Sequence, residues 1–216
     1  MNKFIENYAI KSRHHQKLIN FIYPELIKIK EGNILEFGVS DQAMSTELFI
    51  NYSVINGCKV YSIDNVDYSN KFNNKEWNFI LSRDDEYDYI KSKIPNEFSM
   101  ILLDTIHEAK HVKKIIYNYF KNLKINSCFF IDDISWLPYI KNSDKDNFYG
   151  EVNNFETFNI LLEIFFGNRN TIDIEFNFQG TGMCKIKKLN DSPLREPKKI
   201  VHRQNSLKNL LKKILK

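Results

Sequence analysis

The sequence predicts an α/β fold in which a parallel sheet carries helices on both faces and ends in an antiparallel hairpin. Three observations predict it. Short runs that are apolar throughout, at residues 100–103 and 128–131, have the composition of strands buried on both faces. These runs alternate with stretches of helical periodicity, the order that builds a parallel sheet. The alternation stops near residue 170, where two strand-like runs flank Gly180-Thr181-Gly182, the signature of a hairpin. Together they describe a Rossmann-like arrangement.

In chain order, Leu18, Ile19, Phe21, Ile22, Leu26, Ile27 and Ile29 recur at helical spacing, which predicts one helix over residues 13–30, closed by Gly32. Residues 34–37 read as the first strand. A helix over 44–53 stops at Gly57, and 60–63 form the second strand. Residues 79–81 and 100–103 supply the third and fourth. A helix over 108–123 leads into the fifth strand, 128–131. After an Asn- and Asp-rich loop at 142–150, a helix over 154–166 precedes the hairpin strands, 172–178 and 183–186. The chain thus divides into an N-terminal helical segment (1–30), a sheet domain (31–189) and a basic linker with an amphipathic helix (190–216).

A chain of 216 residues, 43% hydrophobic and 14% aromatic, can bury a core without disulfides or structural metal. Cys58, Cys128 and Cys184 are odd in number and form no Cys-x-x-Cys pair, so buried free thiols are expected. No apolar run approaches the roughly 20 residues of a membrane span. The first 17 residues lack the apolar region of a secretory signal, which points to the cytoplasm. The net charge of +4 is unevenly placed: residues 191–216 carry eight Lys or Arg against Asp191 and Glu196, a net +6, which leaves the other 190 residues at −2. A slightly acidic body argues against nucleic acid, whose phosphates need a positive working face.

In the tail, Leu207, Leu210, Leu211, Ile214 and Leu215 follow one helix face, with Lys208, Lys212, Lys213 and Lys216 on the other. Such a helix can lie on an anionic membrane, here its inner face. Docking on the body, or on another subunit of a homo-oligomer, is the alternative. Pro193 and Pro197 predict an extended linker ahead of it, which favours a detachable element.

In an open parallel sheet, ligands bind beyond the carboxyl ends of the strands. Those positions here are acidic. Glu36 lies in strand one, Asp64 ends strand two, Asp84 and Asp85 follow strand three, Asp104 follows strand four, and Asp132 with Asp133 follows strand five. A single acid there reads as a helix cap or a solvated loop residue; five in register do not. The loop after Glu36 contains only Gly38, whereas a dinucleotide fingerprint needs three glycines to admit a pyrophosphate. S-adenosylmethionine has no phosphate and asks for one close backbone approach and an acid for its ribose, a role that suits Asp64.

On ILEFGVSDQAMST, VYSID, LLDTIH and FFIDD, residues 30–188 resemble the class I S-adenosylmethionine-dependent methyltransferases. Within that superfamily, Asp104-x-x-His107 and Asp132-Asp133 are similar to the metal-dependent sugar O-methyltransferases of antibiotic and polysaccharide biosynthesis. The resemblance implies Glu36, Gly38, Ser45, Asp64, Asp84 and Asp85 around the cofactor, Asp104, Asp132 and Asp133 as metal ligands, and His107 as general base. The departure is that relatives carry a second glycine where this chain has Gln42, Ala43 and Met44.

The residues support that chemistry directly. Three carboxylates at neighbouring strand ends can share one cation, and all-oxygen ligands select a hard ion such as Mg²⁺. A hydroxyl on that ion becomes more acidic. His107 near a helix start is expected to be neutral, able to accept the proton. His111 reads as a surface residue of the same helix, and His14-His15 as a solvated helix start. The segment 136–154, with Tyr139, Tyr149 and Glu151, is placed to cover a sugar or other small-molecule hydroxyl acceptor. A nicotinamide-dependent oxidoreductase and a non-catalytic, membrane-peripheral binding module are the rival readings.

Overall fold

The computed structural model describes residues 3–136 and 148–215, and their side chains except those of 148–151. Helices α1 (Lys3–Ala9), α2 (Arg13–Phe21) and α3 (Tyr23–Leu26) precede strand β1 (Asn33–Phe37). The single helix expected over 13–30 is broken because Pro24 has no N–H to continue the ladder and its ring crowds the preceding turn. Then follow α4 (Met44–Asn56), β2 (Lys59–Asp64), β3 (Trp77–Leu81), α5 (Tyr87–Lys91), β4 (Phe98–Leu103), α6 (Ala109–Tyr119) and β5 (Leu123–Asp132). The chain closes with α7 (Phe148–Gly167), β6 (Ile172–Asn177), β7 (Met183–Lys188) and α8 (Leu207–Ile214).

All five predicted parallel strands and the hairpin are present. Their order is β3-β2-β1-β4-β5-β7-β6, with β7 antiparallel to both β5 and β6. The helix expected over 154–166 begins earlier, so part of the loop expected at 142–150 is helix α7. Tyr139 lies outside the described residues, as do the side chains of Tyr149 and Glu151.

Alternation along the strands sorts the core onto two faces. Leu35, Phe37, Ile101, Leu103, Phe129 and Ile131 face α6 and α7, packing on Val112, Ile115, Leu161 and Ile164. Ile34, Val60, Met100, Leu102, Cys128 and Phe130 face the other way, onto Leu18, Phe21, Leu48 and Phe49 of α2 and α4. Cys58, Cys128 and Cys184 are buried free thiols.

The linker expected to detach is instead pinned. Asn168 accepts from the Arg195 N–H and donates to the Arg195 carbonyl, and Lys198 N–H bonds Glu163 O at 2.9 Å. His202 bonds Asn159 at 2.9 Å and stacks on Phe155. Helix α8, by contrast, has no buried residue. No helix among the described residues is long and apolar enough to cross a membrane.

Candidate active site

The site is organised at Gly38, where β1 gives way to the loop before α4. Its φ is +93°, and a Cβ there would lie 1.9 Å from the Asp104 carbonyl oxygen, so only glycine permits this approach. Gly38 N–H donates to Ile63 O at 2.8 Å, and Asp104 N–H donates to Phe37 O at 2.9 Å. The ends of β1, β2 and β4 are thereby fixed together. Further along the loop Ser40 and Ala43 also take positive φ, 59° and 44°, a conformation that glycine adopts without strain.

Asp64 closes the loop from the β2 side. Its Oδ2 accepts from Val39 N–H at 2.8 Å and Ser40 N–H at 3.4 Å, and its Oδ1 from Val66 N–H at 2.9 Å. Oδ2 thus has both lone pairs engaged, and Oδ1 keeps acceptor capacity for a hydroxyl. Gly38, Asp64, Asp84 and Asp104 line an open cavity of about 250 Å³ with Ser82, Thr105 and others. Asp84 is held inside it by Thr105 Oγ1 and by His111 Nε2, the latter at 2.7 Å. His111 is therefore not a surface residue: its side chain is only 9% exposed, because it points from α6 toward the end of β3.

Three of the residues expected around the cofactor, Glu36, Ser45 and Asp85, do not line this cavity. Glu36 is fully buried beneath the loop, where it accepts from Ser45 Oγ at 2.5 Å, Thr46 Oγ1 at 2.8 Å and Ser62 Oγ at 2.6 Å. It ties the first turn of α4 to β1 and β2 and does not line the cavity. Ser45 is spent on that carboxylate, though it borders a second recess with His14, Lys17, Asp104 and Asp132. Asp85 points away into a pair of ion bonds with Arg83 at 3.0 Å and Lys114 at 3.1 Å, which hold its carboxyl down at about 2.

The acids at the ends of β4 and β5 do converge, with His107 among them. His107 Nε2 is 3.3 Å from Asp133 Oδ2 and 3.8 Å from Asp104 Oδ1. Asp133 takes a positive φ of 55°, and its N–H reaches both Asp132 Oδ1 and the Gly182 carbonyl. The hairpin turn is thus part of the site; a Cβ on Gly182 would lie 2.6 Å from Ser135 N. Burial and the neighbouring charges of Asp132 and Asp133 push the Asp104 carboxyl well above the usual carboxylate range.

Asp132 has a partner that the sequence reading missed. Lys17, only 1% exposed, reaches from α2 to Asp132 Oδ1 and to Thr181 Oγ1 at 2.9 Å. Burial still raises the Asp132 carboxyl, with Lys17 opposing it. Lys17 and the Asp133 N–H both bond Asp132 Oδ1, so a Mg²⁺ held by Asp104, Asp132 and Asp133 would have to use Asp132 Oδ2, beside a buried ammonium. Among the described residues no three His, Cys, Asp or Glu side chains come together as a metal cage.

No protein-family profile and no curated protein matches the chain. Solved structures match its fold. The SAH-bound Podospora anserina methyltransferase PaMTH1 superposes with a TM-score of 0.64 at 12% identity, over 87% of this chain and 83% of that one. A Staphylococcus aureus protein provisionally described as a caffeoyl-CoA O-methyltransferase gives 0.58 at 18%, over 85% and 87%. MycE, a methyltransferase of mycinamycin biosynthesis solved with Mg, SAH and Mycinamycin VI, gives 0.56 at 14%, over 90% of this chain and 51% of that one. The chain spans about half the length of MycE. Its fold is that of the class I methyltransferases.

Burial raises Glu36 from an ordinary 4.5 to about 7 despite its three hydroxyl donors. A folded-state value above the unfolded one favours the neutral acid, so the stabilisation is full below about pH 4.5 and disappears as pH rises through about 7. Glu36→Gln keeps the shape without the charge. Urea unfolding from pH 4 to 8 is expected to show wild type losing on the order of 3 kcal/mol relative to Glu36→Gln. A constant difference across that range would show that folding does not raise the Glu36 carboxyl.

Proposed function

We propose that the protein transfers a methyl group from S-adenosylmethionine to a hydroxyl of a sugar or saccharide-containing acceptor. The observation that carries this reading is the sign of charge in the cavity beside Gly38. Asp64, Asp84 and Asp104 line it, and Arg83, the one lining cation among the described residues, is forked onto Asp85. An acidic cavity suits a ligand bearing a sulfonium and an ammonium, and repels the pyrophosphate of a nicotinamide dinucleotide. The acceptor capacity left on Asp64 Oδ1 suits a ribose hydroxyl.

When bound, S-adenosylmethionine supplies an electrophilic methyl group whose transfer cancels the sulfonium charge. The chain's own work is alignment and proton removal. A hydroxyl placed between Asp104 and Asp133 lies within reach of His107 Nε2, which takes its proton. Asp133, 3.3 Å away, stabilises the imidazolium that forms. Thr157 Oγ1 holds the His107 carbonyl at 3.3 Å and so fixes the start of the segment leading into α6. On the acceptor side Trp136 packs on Phe155 and Phe158, and Phe158 on Phe176 and Phe178. An aromatic wall beside carboxylates complements a sugar, which has apolar ring faces and hydroxyl edges. The three buried thiols accord with a reducing, cytoplasmic setting.

Lys17 supplies the positive charge that a divalent ion would otherwise bring to the three acids. Its ammonium neutralises Asp132 and lowers the cost of a negatively charged oxygen forming nearby.

Calorimetry with SAH is expected to detect binding, weakened roughly 10- to 150-fold by Asp64→Ala, the worth of hydrogen bonds to a charged acceptor. With a saccharide acceptor, His107→Ala is expected to lower kcat by about 10² to 10⁴ while SAH binding persists. Unchanged turnover in that variant removes His107 as the base, and undetectable SAH binding by wild type removes the methyltransferase reading.

The role of Lys17 has its own test. EDTA is expected to leave wild-type turnover and SAH affinity unchanged. Lys17→Ala is expected to lose most turnover and, with Asp132 freed, to regain part of it with Mg²⁺ or Mn²⁺. Electron paramagnetic resonance should show Mn²⁺ held by the variant more tightly than by wild type. Loss of wild-type turnover on chelation, or equal Mn²⁺ affinity in both proteins, would overturn the assignment.

A further inference from the structure

Among the described α-helices, α8 is the one with no buried residue. Leu207, Leu211, Ile214 and Leu215 are 75%, 51%, 79% and 85% exposed, and Leu210 on the same face is 42% exposed. Val201, just ahead of it, is 71% exposed. The helix is fastened to its own lead-in turn, through Asn209 Nδ2 to Arg203 O at 2.6 Å and Leu210 N–H to Ser206 O at 2.9 Å. An apolar stripe in water is costly, so its retention needs an occupant.

Charge identifies the occupant. Lys208, Lys212 and Lys213 flank the stripe, Arg203 precedes it, and residues 197–216 contain no Asp or Glu. A protein groove that took this helix would need acids to meet several lysines at fixed places. A lipid surface meets them anywhere, because anionic headgroups are mobile and plentiful.

The place where α8 leaves the body adds a direction. The preceding segment runs along α7 and is pinned up to His202, which stacks on Phe155 at 5.5 Å. Phe155 packs on Trp136 at 5.3 Å, and Trp136 lies three residues past Asp133. The exposed helix therefore emerges at the acceptor side of the site, beside the aromatic wall.

We propose that α8 docks the protein on an anionic bilayer, its leucines in the headgroup region and its lysines on the lipid phosphates, so that the acceptor side of the cavity faces the membrane. The lipid contact stands on α8 alone; the orientation of the acceptor rests on the methyltransferase reading. The acceptor would then be a saccharide carried at the membrane surface.

Co-sedimentation of the full chain separates the outcomes, using vesicles of phosphatidylcholine alone and of phosphatidylcholine mixed with phosphatidylglycerol. Binding to the anionic vesicles at low salt is expected to exceed that to neutral ones by roughly tenfold or more and to fall as salt rises. The double variant Leu211→Glu, Ile214→Glu is expected to lose vesicle binding while its SAH affinity, read by calorimetry, stays that of wild type. Lys212→Glu with Lys213→Glu should weaken binding to anionic vesicles only. Equal sedimentation of wild type and the double leucine–isoleucine variant overturns the proposal. So does a wild-type dimer that the same variant dissolves in analytical ultracentrifugation without any vesicle binding, since α8 is then a contact between copies. Because SAH binding is read separately, failure of the membrane contact leaves the cofactor assignment standing.

Discussion

The approach of two backbones at Gly38 is the constraint on which the rest of the site depends. The carbonyl of Asp104 lies where a Cβ of residue 38 would be, so the end of β4 can sit against the loop after β1 only if that position is glycine. Once it does, Asp104 is at the cavity floor, and the three-residue step to His107 sets the imidazole beside Asp133. The loop itself is held from below by Glu36 and from the side by Asp64, two carboxylates with different tasks. One is dry and ties helix to strand through hydroxyls; the other holds the loop backbone and keeps one oxygen open to a ligand.

Placing Asp104, Asp132 and Asp133 together is unfavourable unless something compensates. The raised carboxyls of Asp104 and Asp132 express that cost. Lys17 offsets part of it from a helix that belongs to neither strand, and Thr181 completes its coordination from the hairpin turn. Removing one partner of a buried pair generally costs more than the pair contributes, since it leaves a dry charge alone. The N-terminal helices are thereby joined to the chemistry and are not merely a cover for one face of the sheet.

Much of this was legible in the sequence, and the exceptions have physical reasons. The strands announced themselves because both faces are buried, and Asp64, Asp104 and Asp133 because strand ends point at the ligand crevice. Strand-end position does not give direction, however. Glu36 shares its face of β1 with Ile34, so it turns under α4, and Asp85 turns out to Arg83 and Lys114. Lys17 carries no motif that marks it in the sequence, although Phe21 four residues on shares its buried face. His111 stands in the same relation to Ile115. The grip of Thr181 on Lys17 had no local signal, being a contact between the two ends of the chain. The start of α7 and the pinned linker were misread because Asn, Asp and Pro mark irregular backbone without saying where it rests.

The bond between Lys17 and Thr181 spans 164 positions. On a ribosome, the parallel strands and all of their acids emerge before the turn that completes the lysine's surroundings. Until β7 has inserted between β5 and β6, the backbone that supports Asp133 is missing as well. Long-range closure of this kind comes late in folding. A nascent chain can therefore pair its parallel strands early, while Lys17 and Asp133 gain their full surroundings only once β7 has been made.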